Sequence, residues 1–235
     1  MPPGMMSRGI NSQMMQEIMQ SSFGTELVYS FVIILLSLII YFGTKELYEL
    51  SNYKGIKYFR LSFLFFAIAY FFRSFVKFLV VFLDAPEIIR LSQLGLGAVS
   101  LFFLMYASSI AIFYLLLSVN WKKWDGKSKE WIFHILALII AVISLLVRQG
   151  IIILGIYLVL FVFISIATII SYKQARERRK GSHLHGIYVL LFIFWILNIM
   201  DILTPNLFQS FHLLIYFASI SVFLAILYKV IRKLG

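Results

Sequence analysis

The chain reads as seven long apolar runs separated by short polar connectors, at about 26–43, 58–83, 92–118, 131–147, 151–172, 186–203 and 208–230. Each is close to the ~20 residues an α-helix needs to cross the hydrocarbon layer. None alternates apolar and polar positions, as the strands of a transmembrane barrel would. The pattern predicts an all-α membrane protein, a bundle of seven transmembrane helices. Turn-forming residues stand between the runs: Asn52, Gly55, Pro86, Gly126, Gly150, Gly181 and Pro205. The narrowest break is Arg148-Gln149-Gly150. If those residues did not turn the chain, the number of spans would change.

Composition agrees with this pattern. Of 235 residues, 62% are hydrophobic and 13% charged. Soluble domains run nearer half apolar and a quarter charged, so the excess must face lipid. Residues 25–235 form one membrane domain. Residues 1–24 carry one basic residue, Arg8, and lack the ordered regions of a cleavable signal. Within them Ile10, Met14 and Ile18 fall at i, i+4 and i+8, with Met15 and Met19 adjoining. That spacing predicts an external amphipathic helix lying on the membrane surface. The segment holds six of the eight methionines, and thioethers bind Cu(I). No methionine path continues into the spans, so no metal or other cofactor is expected. The chain has no cysteine, which excludes disulfides and thiolate chemistry.

The net charge of +11 is distributed by connector. Segments 44–60, 119–130, 173–185 and 229–235 hold 4, 4, 5 and 3 Lys or Arg, against Arg8, Arg90 and Arg148 on the opposite side. This bias predicts an N-terminus outside and a C-terminus in the cytoplasm, in a multi-pass plasma-membrane protein. Trp121, Trp124 and Trp131 flank one basic connector as interfacial aromatics do. The most basic connector, with Arg176, Arg178, Arg179 and Lys180, is expected to meet anionic lipid headgroups or a cytoplasmic protein partner. Cations in short clusters between apolar runs do not indicate nucleic acid.

A faint repeat relates spans one to three with spans five to seven. Tyr29 lies sixteen residues before Lys45, and Tyr157 sixteen before Lys173. Pro86 and Pro205 each precede the third span of a triplet, and Tyr106-Ala107-Ser108 resembles Phe217-Ala218-Ser219. The relation would be parallel, with the fourth span as connector. This three-plus-one-plus-three order is similar in topology to microbial rhodopsins and SWEET sugar transporters. The seventh span lacks a deep Schiff-base lysine, and no Pro-Gln motif occurs, so neither family's chemistry is implied.

Candidate chemistry centres on the second span. Tyr70, Arg73, Ser74, Lys77 and Asp84 fall at i, i+3, i+4, i+7 and i+14, one polar stripe on one helix face. An arginine near mid-membrane costs about 2.5–3.5 kcal/mol on insertion scales, so the stripe must face the bundle and find partners. Asn198 and Asp201 in the sixth span run to a similar depth, with Tyr216, His212 and Gln93 in reach. A pocket lined by Tyr70, Arg73, Lys77, Asn198, Asp201 and Tyr216 would carry two cations against one acid and suit an anionic ligand. A static interhelical ion pair is the competing reading. Small residues from Gly95 to Ala111 predict a central third span.

No nucleophile–base set, aspartate pair or metal motif stands out, so enzymatic activity is not expected. Two function classes follow. One is a sensor, receptor-like or assembly module that works through a separate cytoplasmic partner. The other is a small-solute or ion transporter or channel with an outward-facing polar pocket.

Overall fold

The computed structural model describes the backbone of residues 4–82, 87–122, 127–147, 150–177, 183–204 and 209–232, and side chains within 24–75, 95–122, 130–147, 152–176, 185–204 and 210–232, with Phe78. All its regular elements are helices: α1 (Gly4–Gly43), α2 (Lys45–Ser51), α3 (Lys54–Phe82), α4 (Glu87–Asn120), α5 (Lys127–Val147), α6 (Gly150–Glu177), α7 (His183–Leu203) and α8 (Gln209–Ile231). All but α2 are long and apolar enough to cross a membrane. The protein is a multi-pass membrane protein with an all-α seven-helix bundle. Helix α5 ends at Val147 and α6 starts at Gly150, so the narrow break does separate two spans.

Two local features depart from the pattern. Residues 4–43 form one continuous helix, with no backbone break between the N-terminal segment and the first span. The first basic connector contains a short helix, α2, which stops at Asn52. Asn52 adopts φ 50°, the left-handed conformation that asparagine tolerates, and its N–H bonds the Tyr48 carbonyl.

The helices close into a ring in the order α1, α3, α4, α6, α7, α8 and back to α1, with α5 outside it, mainly against α4. Helix α4 is the most enclosed, and residues 107–120 are all buried. This matches the central place its small residues predict. Exchanging the triplet α1, α3, α4 for α6, α7, α8 maps the ring onto itself, as a two-fold axis along the membrane normal would.

Among the described residues α3 and α7 make no close backbone approach and meet only through side chains across the middle. Those pairs share one spacing. Phe66 meets Phe194, Tyr70 bonds Asn198 and Arg73 bonds Asp201, each pair 128 residues apart. Tyr29 and Tyr157, Ser37 and Ser165, and Lys45 and Lys173 are separated by the same 128 positions. Near a two-fold axis, a residue contacts its own equivalent. The three α3–α7 pairs fit that rule, in successive layers across the middle of the ring.

At the end of the bundle that carries the basic connectors, glycine permits a close approach to backbone. A methyl group on Gly55 would stand 2.8 Å from the Ser118 carbonyl oxygen and 2.5 Å from the Tyr53 ring. The backbone oxygen cannot move aside easily. Gly55→Ala is expected to destabilise the α3–α4 contact by about 1–3 kcal/mol, read as a lower Tm in detergent. An unchanged Tm would show that this junction relaxes freely.

Candidate functional site

Tyr70 and Arg73 of the α3 stripe reach the middle of the ring at the end opposite the basic connectors. Arg73 is the hub. Its Nε donates to Glu26 Oε1 on α1 at 3.2 Å, and its Nη1 donates to Asn198 Oδ1 on α7 at 3.3 Å. Its Nη2 donates to Asp201 Oδ2 in a close ion pair. Asp201 Oδ1 meets His212 Nδ1 of α8 at 2.8 Å. Four helices thus converge on one guanidinium. Side-chain exposure is 17% for Arg73, 15% for His212, 8% for Asp201 and 3% for Glu26. The cluster is nearly enclosed, and Arg73 and His212 are its most exposed members.

Tyrosines extend it. Tyr70 donates to Asn198 Oδ1 at 2.8 Å, and its hydroxyl lies 3.0 Å from that of Tyr29. Asn198 is itself held by its Nδ2 donating to the Phe194 carbonyl at 2.9 Å. The Tyr29 ring stacks on Tyr216 with centroids 4.3 Å apart and meets Tyr70 edge-on at 5.7 Å. The Arg73 guanidinium sits 5.6 Å from the centre of the Tyr70 ring. Tyr29, Tyr70, Asn198 and Tyr216 are all buried.

Of the predicted site residues, Tyr70, Arg73, Asn198, Asp201 and Tyr216 come together, and His212 joins them. The Lys77 and Gln93 side chains, and Asp84, lie outside the described residues. So do Arg178, Arg179 and Lys180, whereas Arg176 is exposed in the last turn of α6.

Glu26 corrects the expected charge. The expected pocket counts a single acid, Asp201, and Glu26 stands at the very start of the first apolar run. In the structure Glu26 is buried and ion-paired to Arg73. The described ionic core is therefore one arginine against two carboxylates, with a histidine beside them. Among the described residues it is not net positive; Lys77, the second cation of the expected pocket, has its side chain outside them. A buried arginine needs more than one partner, and that need was the available signal for a second acid.

Toward the basic end the middle of the bundle becomes hydrocarbon. Phe63, Phe66, Phe194 and Phe223 form a closed cycle, with centroids 6.0 Å (Phe63–Phe66), 6.2 Å (Phe66–Phe194), 4.6 Å (Phe194–Phe223) and 6.1 Å (Phe63–Phe223). All four are buried. No polar side chain of the Arg73 cluster bonds past this layer among the described residues.

A second polar group lies between the ring and α5. His134 has Tyr106 Oη 2.7 Å from Nδ1 and Tyr114 Oη 2.8 Å from Nε2. Tyr58 donates to Glu130, and its ring stacks on Tyr114 at 5.9 Å. The sequence offered no role for His134. Here both of its nitrogens are occupied by tyrosines, which pins α5 to α4. Among the described residues no group of three or more His, Cys, Asp or Glu is placed to hold a metal ion.

A protein of Archaeoglobus fulgidus described as uncharacterized is 36% identical over 214 residues, covering 89% of this chain and 92% of its own. No family profile and no solved structure matches the chain.

Proposed function

We propose that this chain, which belongs to the same family as the Archaeoglobus fulgidus protein, is a sensor or receptor-like module whose ligand reaches the Arg73 cluster from one side of the membrane. Its orientation is N-terminus out and C-terminus in, in the plasma membrane, as the sixteen-to-three cationic bias of the connectors supports. The cluster then opens outward. Binding there bears on α1, α3, α7 and α8 together, because α1 and α7 hold the guanidinium of α3 and α8 holds Asp201. A shift of these helices is felt at the cytoplasmic connectors, where a separate protein would read it.

One observation carries this reading: the polar cluster ends at the cycle of four phenylalanines. A conduit needs polar access from both faces, whereas a receptor needs it from one. The two-fold arrangement of the triplets favours a second reading, a transporter, since parallel repeats occur in such proteins.

Thiol access separates the two. The chain lacks cysteine, so a single introduced cysteine reports without background. Tyr216 is buried through its ring, and cysteine in its place removes that ring and leaves a gap beside His212; in sealed vesicles, Tyr216→Cys should react with a membrane-impermeant thiol reagent added on the outer face and resist it from the cytoplasmic face. Reaction from both faces would favour the transporter, and uptake of labelled solutes into proteoliposomes would establish it.

A further inference from the structure

We propose that the protein binds a proton at His134, between α4 and α5, and exchanges it through the end of the bundle that carries the basic connectors. This site is separate from the Arg73 cluster and does not depend on what that cluster binds.

The geometry suits a ligand that needs no room. Both imidazole nitrogens already face a hydroxyl: Tyr106 Oη lies 2.7 Å from Nδ1 and Tyr114 Oη 2.8 Å from Nε2. A neutral imidazole has one N–H and one bare nitrogen, so one tyrosine accepts from it and the other donates to it. An imidazolium donates from both nitrogens. A hydroxyl can donate or accept, so the second tyrosine need only turn its O–H. The same heavy atoms therefore satisfy the ring with or without the extra proton. An ionisable side chain inside a span is costly, and such residues mark proton relays and other working sites.

The charge that the proton brings has a counter-charge at hand. Glu130 stands one turn before His134 on α5 and acts electrostatically on its ring. Glu130 also accepts from Tyr58 of α3, whose ring stacks on Tyr114 at 5.9 Å. From α4 the titratable groups beside the imidazole are Tyr106 and Tyr114, and Phe65 of α3 packs against both. Helix α6 scarcely meets α5.

Depth gives the direction of exchange. Tyr114 lies six residues before the end of α4, about 9 Å from it, and Tyr106 fourteen residues before it, about 21 Å. His134 lies seven residues into α5, about 10 Å from its start at the same end of the bundle. Glu130, Tyr114, His134 and Tyr106 thus step from that surface toward mid-membrane. Farther along, the way is lined by rings, where Phe72 of α3 stacks on Phe103 of α4. The proton comes from water at the connector surface, passes Tyr114 and adds to the bare nitrogen. No bond between heavy atoms forms or breaks.

The test uses full-length protein carrying isotope-labelled histidine, in proteoliposomes sorted by a C-terminal affinity tag into one orientation. His134→Gln assigns the His134 nitrogen signals by their loss. When the pH on the C-terminal face falls from about 8 to about 5, those signals should change from one protonated and one bare nitrogen to two protonated ones. The same fall on the opposite face alone should leave them unchanged. After a pH jump followed by infrared spectroscopy, Tyr114→Phe should slow protonation about a hundredfold, whereas Tyr106→Phe should leave the rate unchanged. Constant His134 signals across this range would make the site a fixed tie between helices and overturn the proposal. A response to the opposite face alone, or an equal slowing by Tyr106→Phe, would overturn the route. The wild-type titration decides proton binding even where a tyrosine variant fails to fold.

Discussion

Replacing Arg73 with leucine strips Glu26 and Asp201 of their shared cation and should destabilise the protein by about 3–5 kcal/mol, the usual result of removing one member of a buried ion group. The loss is read as a lower Tm and a smaller monodisperse fraction in detergent. Adding Glu26→Gln and Asp201→Asn to Arg73→Leu should recover most of it, because both acids lose their charge together with the cation. The spacing of the pair makes a sharper demand. Arg73 and Asp201 stand 128 residues apart, as the two members of a repeat would, so the exchange Arg73→Asp with Asp201→Arg places each charge where its partner stood. That double variant should be more stable than either single one. Were it no better than the worse single variant, the two sites would not be interchangeable and the two-fold description of the cluster would be wrong.

The phenylalanine cycle yields the second large effect. Phe63 is fully buried and touches Phe59, Phe66 and Phe223. Phe63→Ala should cost about 3–5 kcal/mol, part from lost burial and part from the cavity left behind. The same variant should remove the barrier between the Arg73 cluster and the cytoplasmic face. With Tyr216→Cys in the background, an impermeant thiol reagent should then react from that face as well. Continued protection, despite the loss of stability, would locate the barrier elsewhere and remove the observation on which the sensor reading stands.

Much of this fold was legible because lipid imposes a simple rule. Every backbone polar group must be satisfied within its own helix, so a span announces itself as an unbroken apolar run. Even the narrow break after Val147 was readable, since Arg148, Gln149 and Gly150 interrupt the apolar run there. The α3–α7 meeting was legible in outline. A buried arginine needs a carboxylate, and Asp201 lies at matching depth. Glu26 was missed because it stands where the first run begins, and an acid at a span boundary reads as interfacial. Burial there comes from α3 folding across it, which is tertiary information. His134 was missed for a related reason. Its partners Tyr106 and Tyr114 sit two turns apart on another helix, and nothing local to residue 134 marks them. Short α2 was hidden in a basic connector whose charges drew attention to topology instead of helix-forming residues. The repeat was visible only as scattered likenesses. The constant spacing became meaningful once the paired positions were seen to touch.

The unbroken course of α1 has a mechanical consequence. At 1.5 Å per residue its 40 residues make a rod of about 60 Å, roughly twice the hydrocarbon thickness. Glu26 and Tyr29 lie partway along it, where it presses on the guanidinium and on the Tyr216 ring. Tilting the rod by about 10° about Glu26 would swing Gly4 through about 6 Å. The leverage also runs inward, so a pull on the far end arrives at the arginine as a small, stiff displacement. The first helix is thus built like a crank handle, with the ion cluster at its bearing.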